Sequence, residues 1–131
     1  MNLPNVAVVI SNYNYGEYVL DAVSSALEQD YKGQFRIYVV DDGSSDGSYE
    51  KLLAYAGEDV SSIIDAHQVT KPYYSGEMKL FQCSDLNLWC YRIENSGAST
   101  ARNVAIWESW QWADCFAILD ADDLYHPSKI S

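Results

Sequence analysis

The sequence predicts an α/β domain with a mainly parallel sheet flanked by helices. Three observations support this class. Short, continuous apolar runs recur along the chain, which is typical of strands that are buried on both faces. Segments with helical periodicity lie between these runs. Clusters of polar, turn-forming residues follow the apolar runs, as expected where parallel strands end at a common edge of a sheet.

The first half of the chain is predicted to contain two strand–helix units. The apolar run 6–10 predicts the first strand. A helix ending near Asp30 follows, because apolar residues recur there at offsets of three and four: Val19, Leu20, Val23, Ala26 and Leu27. The run 35–40 predicts a second strand, and residues 49–56 a second helix. This order and spacing favour parallel strands joined by right-handed crossovers.

The second half is less regular. Residues 57–86 are predicted to form an irregular insertion, with a short helix or a hairpin as the alternative, because long structureless loops are uncommon in compact domains. A third strand is expected at 88–93, a helix from about residue 100 to residue 110 and a fourth strand at 115–119. The tryptophans near the end of that last helix are expected to cover the core.

Length and composition favour one domain that spans residues 1–131, since 131 residues with 48% hydrophobic content can bury a single core. The net charge of −11 argues against nucleic acid or an anionic membrane surface as the main partner. An anionic ligand would therefore need a metal to mediate its binding.

Cysteine use and hydropathy indicate a cytoplasmic chain. Cys83, Cys90 and Cys115 are odd in number and form no Cys-x-x-Cys pair, which predicts buried free thiols in a reducing compartment. No apolar stretch approaches the roughly 18 residues of a membrane span. We therefore expect no membrane span in this chain.

A cluster of carboxylates, Asp120-Ala121-Asp122-Asp123, directly follows the fourth predicted strand. Such groups repel one another unless a cation or protons intervene, and hard divalent cations prefer oxygen ligands. The segment is therefore a candidate metal site. A solvated acidic turn after a core strand is the alternative.

Three other polar positions are candidates for binding a ligand at the same edge. Asp42 ends the second strand and can accept hydrogen bonds from a ribose or a base; the alternative is that Asp41 and Asp42 only start a turn before Gly43. Tyr13 can stack on a base or pack over the sheet edge. Arg102 is predicted in the first turn of a helix, where a cation opposes the macrodipole. It therefore needs a partner, either a nucleotide or an internal Asp.

Four segments carry a family resemblance, in order along the chain: VVISNYN at 8–14, VVDDGSSDG at 39–47, NSGASTARN at 95–103 and LDADD at 119–123. They resemble the motifs of family 2 glycosyltransferases, which have the Rossmann-like GT-A fold. The resemblance implies a nucleotide-diphospho-sugar donor, Mg²⁺ or Mn²⁺, and transfer with inversion to a saccharide or other hydroxyl acceptor. By the same likeness, the donor nucleotide would contact Ser11, Tyr13, Asp42 and Arg102, and the Asp-x-Asp metal site would consist of Asp120, Asp122 and Asp123.

The resemblance does not supply a general base, because the family places that residue well beyond the Asp-x-Asp motif and this chain ends at Ser131. We therefore expect the donor-binding half of a glycosyltransferase of the hexosyltransferase type, truncated after the Asp-x-Asp strand. Such a fragment is expected to bind the donor only, and its exposed sheet edge could pair with a second copy.

Two other functions stay open at this stage. One is a non-catalytic module for nucleotide-sugar binding or protein interaction. The other is a nucleotidyltransferase, although that class favours a Gly-rich, basic loop after the first strand, and residues 11–14 contain neither glycine nor lysine.

Overall fold

The computed structural model describes residues 3–28 and 31–120. Within them, three helices pack against one six-stranded sheet of order β3-β4-β5-β2-β1-β6. In chain order the elements are β1 (Val6–Asn12), α1 (Val19–Leu27), β2 (Phe35–Asp42), α2 (Ser48–Ala56), β3 (Ser62–Lys71), β4 (Tyr74–Cys83), β5 (Leu88–Ile93), α3 (Ala98–Ser109) and β6 (Cys115–Asp120). Single 3₁₀ turns occupy Gly57–Asp59 and Ser84–Leu86.

The predicted parallel sheet is confirmed for four strands. β1 pairs in parallel with β2 and β6, and β2 pairs in parallel with β5. All seven residues of β1 are buried, because the strand is central and both of its faces are covered. Val8 and Ile10 face the core beneath α1 and α2, whereas Ala7 and Val9 face the core beneath α3. The side chains of the polar residues that end the strands alternate between the two faces of the sheet in the same way.

Residues 57–86 differ from the irregular segment expected from the sequence. They contain an antiparallel hairpin of two ten-residue strands, and β4 of that hairpin pairs antiparallel with β5. The alternative of a hairpin was therefore the better one. The pattern was weak because β3 is an edge strand whose side chains are almost all exposed, and because β4 divides its apolar residues between two cores.

Two expectations about the third helix are also wrong. The helix begins at Ala98, so Arg102 lies in its second turn and not in its first, beyond the range of a strong macrodipole effect. Trp107 and Trp110 do not cover the core, since each is more than half exposed. Trp112 fits the expectation better, because it packs against the core beneath α3.

The cysteines fit the prediction in part. Cys83, Cys90 and Cys115 are all free, but only the first two are buried and Cys115 is exposed. No helix in the described part of the chain is both long enough and apolar enough to cross a membrane.

Candidate functional site

A cleft of about 500 Å³ lies at the carboxyl edge of the parallel strands. Four predicted donor-contacting residues line it together, namely Ser11, Tyr13, Asp42 and Arg102. They come from the ends of β1 and β2 and from α3. The structure therefore brings these four positions to one concave surface, as the topology of a parallel sheet favours. The other wall residues lie within the motif segments except Tyr15, and they are Asn12, Tyr15, Asn95, Gly97 and Ala98.

Asp42 fixes the loop that forms one wall of this cleft. The carboxylate is almost fully buried, and its two oxygens accept hydrogen bonds from the backbone N–H groups of Ser96, at 2.7 Å, and Gly97, at 2.9 Å. The Asn95 amide donates to the Asp42 backbone carbonyl at 3.0 Å. Gly97 has a φ of +99°, a conformation that favours glycine. Asp42 thereby positions the start of α3.

Asp41 projects from the opposite face of the same strand and forms a separate network. Its carboxylate is fully buried and pairs with Arg92 at 2.9 Å. It also accepts hydrogen bonds from the Asn12 amide at 2.8 Å and from the Ser44 hydroxyl and N–H at 2.5 and 3.2 Å. The Ser44 contact is the turn-initiating role considered for the two aspartates. Asp41 thus holds three chain segments together.

The loops that follow β1 and β2 are joined by direct hydrogen bonds. The side-chain oxygen Oδ1 of Asn14 accepts a hydrogen bond from the Ser45 N–H at 2.8 Å, and the Ser44 hydroxyl accepts one from the Asn14 backbone N–H at 2.9 Å. Asn14 has a φ of +57°, which Asn tolerates better than most residues. These bonds hold the chain on both sides of Tyr13 in place.

Asp46 adds a charged contact to this junction. Its carboxylate accepts hydrogen bonds from the Gly16 N–H at 2.9 Å and from the hydroxyl and N–H of Ser48. Burial by itself would raise the pKa of Asp46. The hydrogen bonds from Ser48 and Gly16 and the nearby Lys51 ammonium outweigh this effect, so the pKa lies below its usual value. The ionised form therefore stabilises the contact between the two loops.

Tyr13 and Arg102 present the cleft with an aromatic ring and a cation. The Tyr13 side chain is 49% exposed, which leaves a ring face accessible. Arg102 is half-buried, and its Nη2 lies 3.5 Å from the Ser99 hydroxyl. Together with the buried carboxylate of Asp42, they provide the wall with groups suited to a polar, aromatic ligand.

The predicted metal site is described only in part. Asp120 ends β6 and is in register with Ser11 of β1, so its backbone lies beside the cleft. Asp122 and Asp123 lie outside the described residues. In the described part of the chain, no group of three His, Cys, Asp or Glu residues is arranged to hold a metal. The metal site therefore stays a prediction.

Asn12 is a cleft residue that sequence reasoning missed. Its amide nitrogen donates to Asp41, and its side-chain oxygen is buried without a hydrogen-bond partner among the described residues. Only its place between Ser11 and Tyr13 at the end of a strand pointed to it.

The fold and the cleft define a Rossmann-like α/β domain whose ligand site lies at the carboxyl edge of its sheet. The family model described as "Glycosyl transferase family 2" matches residues 7–76, slightly more than half of the chain. This chain belongs to glycosyltransferase family 2.

Curated relatives agree with this family. The chain is 30% identical over 128 residues to an uncharacterized glycosyltransferase of Nostoc, covering 95% of this chain and 30% of the relative. It is 32% identical over 127 residues to a putative teichuronic acid biosynthesis glycosyltransferase of Bacillus subtilis, covering 97% and 39%. The chain thus spans about a third of the length of these relatives.

Solved structures share the fold. TarS 1–349 of S. aureus in complex with UDP superposes with a TM-score of 0.64 at 23% identity, covering 99% of this chain and 30% of the TarS 1–349 chain. The mannosyltransferase PcManGT of Pyrobaculum calidifontis, in complex with GDP-Man and Mn²⁺, gives 0.66 at 22% identity, covering 95% and 31%. The GT-A fold expected from the motifs is therefore confirmed.

Proposed function

We propose that this chain is the donor-binding region of a metal-dependent glycosyltransferase that transfers a sugar with inversion. The observation that carries the proposal is the shared cleft. One cavity of about 500 Å³, a volume suited to a nucleotide, is lined by residues from three separate segments. The first segment supplies Ser11 and Tyr13, the second supplies Asp42 and the third supplies Arg102.

The chemistry of the wall fits a nucleoside diphosphate. Tyr13 offers a ring face to the base, and the Arg102 guanidinium offers charge and paired N–H donors to a base or phosphate.

A metal would lie at the β6 side of the cleft. Asp120, at the end of β6 and in register with Ser11, would help to hold it together with Asp122 and Asp123. Carboxylate oxygens suit Mg²⁺ or Mn²⁺, and PcManGT has been solved with Mn²⁺. When bound, the metal would supply positive charge against the diphosphate leaving group.

In the proposed reaction, an acceptor hydroxyl attacks the anomeric carbon of the donor sugar. The new carbon–oxygen bond forms as the bond from that carbon to the diphosphate breaks, and attack on the opposite face inverts the configuration. The acceptor proton passes to a general base, to which we assign no residue of this chain. The chain's own contribution is to bind and orient the donor.

Calorimetry with UDP, GDP and dTDP, each with and without Mn²⁺, tests the proposal. We expect one nucleotide to bind, more tightly with the metal. Binding that is independent of Mn²⁺ would contradict the metal site and favour a nucleotide-binding module. No binding of any nucleotide would falsify the proposal. Transfer to an acceptor by the purified chain would overturn the expectation that it binds donor only.

A further inference from the structure

A second aromatic residue, Tyr15, lines the same cleft as Tyr13. Its side chain is 41% exposed, and its ring is tilted by 59° against the Tyr18 ring at a centroid distance of 6.4 Å. The sequence motifs gave it no role. Single exposed aromatic rings are common on protein surfaces and do not by themselves indicate a function. A ring in the wall of a cleft, however, is available to stack on a flat ligand.

The backbone around Tyr15 is firmly held. The Tyr15 carbonyl oxygen accepts hydrogen bonds from the N–H groups of Tyr18 and Val19, both at 2.8 Å, and so anchors the start of α1. The next residue, Gly16, donates its N–H to Asp46. The ring therefore projects from a fixed point, which limits the entropy that a ligand contact would have to overcome.

The opposite parts of the cleft supply polar groups. Asp42 and Asn95 lie at the ends of β2 and β5, and Arg102 on α3, while Tyr13 and Tyr15 follow β1. A ligand in this cleft thus meets aromatic surface from the β1 loop and hydrogen-bonding groups from the other strands. A nucleobase has that combination of a π face and a polar edge.

We propose that Tyr15 is a further donor-binding residue that packs its ring against the nucleobase of the bound donor, beside Tyr13. The inference rests on the proposed function, because it names a further contact within that site. In this proposal Tyr15 contacts the base of the donor and not its sugar or its diphosphate. Substituting Tyr15 therefore leaves the interactions of those two groups unchanged.

The chain offers a matched control. Tyr18 is 50% exposed, lies three residues away and contacts the Tyr15 ring, but it is not part of the cleft wall. Tyr15→Ala and Tyr18→Ala remove rings of equal size from the same region, and each retains the backbone hydrogen bonds of its position. Tyr15→Phe keeps the ring and removes only the hydroxyl. Circular dichroism melting curves for the three variants establish that they are folded.

The experiment measures the affinity of the wild-type chain and the variants for UDP and GDP in the presence of Mn²⁺. We expect Tyr15→Ala to weaken binding of the preferred nucleotide by roughly fivefold to tenfold, whereas Tyr15→Phe and Tyr18→Ala change it by less than about twofold. In proton NMR with diamagnetic Mg²⁺ in place of paramagnetic Mn²⁺, the base protons of the bound nucleotide should show a ring-current shift that diminishes in Tyr15→Ala.

Three outcomes would overturn the inference. The first is unchanged affinity and an unchanged base-proton shift in Tyr15→Ala while the wild type binds the nucleotide. The second is an effect of Tyr15→Ala on UDP-GlcNAc or GDP-Man but not on UDP or GDP, which would place the ring against the sugar. The third is a loss of nucleotide affinity in Tyr18→Ala equal to the loss in Tyr15→Ala. Failure of the wild type to bind any nucleotide would instead refute the proposed function and, with it, this contact.

Discussion

The two aspartates that end β2 are adjacent in sequence yet belong to different environments. Asp41 faces α1 and α2, where Arg92, Asn12 and Ser44 satisfy it within a closed network. Asp42 faces α3 and lines an open cleft, although backbone N–H groups also bind its carboxylate. The comparison indicates that one carboxylate serves mainly the fold, while the other shapes a surface at which a ligand can bind.

Removing the closed network should have the largest effect. Asp41→Ala removes the carboxylate partner of the Arg92 guanidinium, which keeps its hydrogen bond to the Ser44 backbone carbonyl, and it removes the acceptor for the Asn12 amide and the Ser44 hydroxyl. We expect the free energy of unfolding to fall by about 3–5 kcal/mol, as for other broken buried ion pairs. Urea denaturation monitored by tryptophan fluorescence measures the change. A loss below about 1 kcal/mol would show that the network is not a main support of the fold.

Substitutions in the cleft should change the affinity for a nucleotide more than the stability of the fold. Arg102→Gln removes a charge from the cleft and leaves a shorter, neutral side chain that can still form hydrogen bonds. We expect nucleotide affinity to fall by roughly tenfold to a hundredfold, because hydrogen bonds to charged groups contribute about 1.5–3 kcal/mol. Calorimetry with the nucleotide that binds the wild type checks this. Lys71→Gln on the exposed edge strand β3 is the control for a general loss of positive charge, and an equal effect there would contradict a specific role.

Tyr13 should show a smaller effect in the same assay. Tyr13→Ala is expected to weaken nucleotide binding by about 0.5–1.5 kcal/mol through the loss of a stacked ring. Tyr13→Phe should bind nearly as well as the wild type. If the phenylalanine variant lost as much affinity as the alanine variant, the hydroxyl rather than the ring face would be the contact.

The smallest expected effect concerns Asp46, which joins the loops after β1 and β2. Its pKa is lower in the folded chain than its ordinary value of 3.8, so the unfolded chain binds the proton more tightly. The stabilisation is therefore complete above the ordinary pKa and is lost as the pH falls through the lowered one. We expect Asp46→Asn to show a shallower loss of stability in acid than the wild type. Denaturation curves measured at several pH values give the free energy of unfolding. If this free energy fell equally steeply in both proteins between pH 5 and pH 3, the result would argue against this contribution.

Local patterns were sufficient where each residue's environment follows from its neighbours in sequence. β5 has the predicted bounds of Leu88–Ile93, because a short apolar run between polar turns has one plausible buried conformation. β1 and β2 extend two residues beyond their apolar runs, to Asn12 and Asp42, because ladder hydrogen bonds continue where the side chains become polar. The convergence of Ser11, Tyr13, Asp42 and Arg102 followed from parallel topology together with a family resemblance.

By itself, the sequence determined the parallel core, the order of its elements and the set of strand ends that meet at one edge, since periodicity and turn chemistry are local properties. Only the tertiary structure decided which face each strand-end residue occupies, because that depends on register and on which helix covers which side. It paired Asp41 with Arg92, turned Asp42 toward the cleft and placed Tyr15 in the wall. It also formed the β3–β4 hairpin, whose edge strand gains its order from backbone pairing with a neighbour and not from burial of its own side chains.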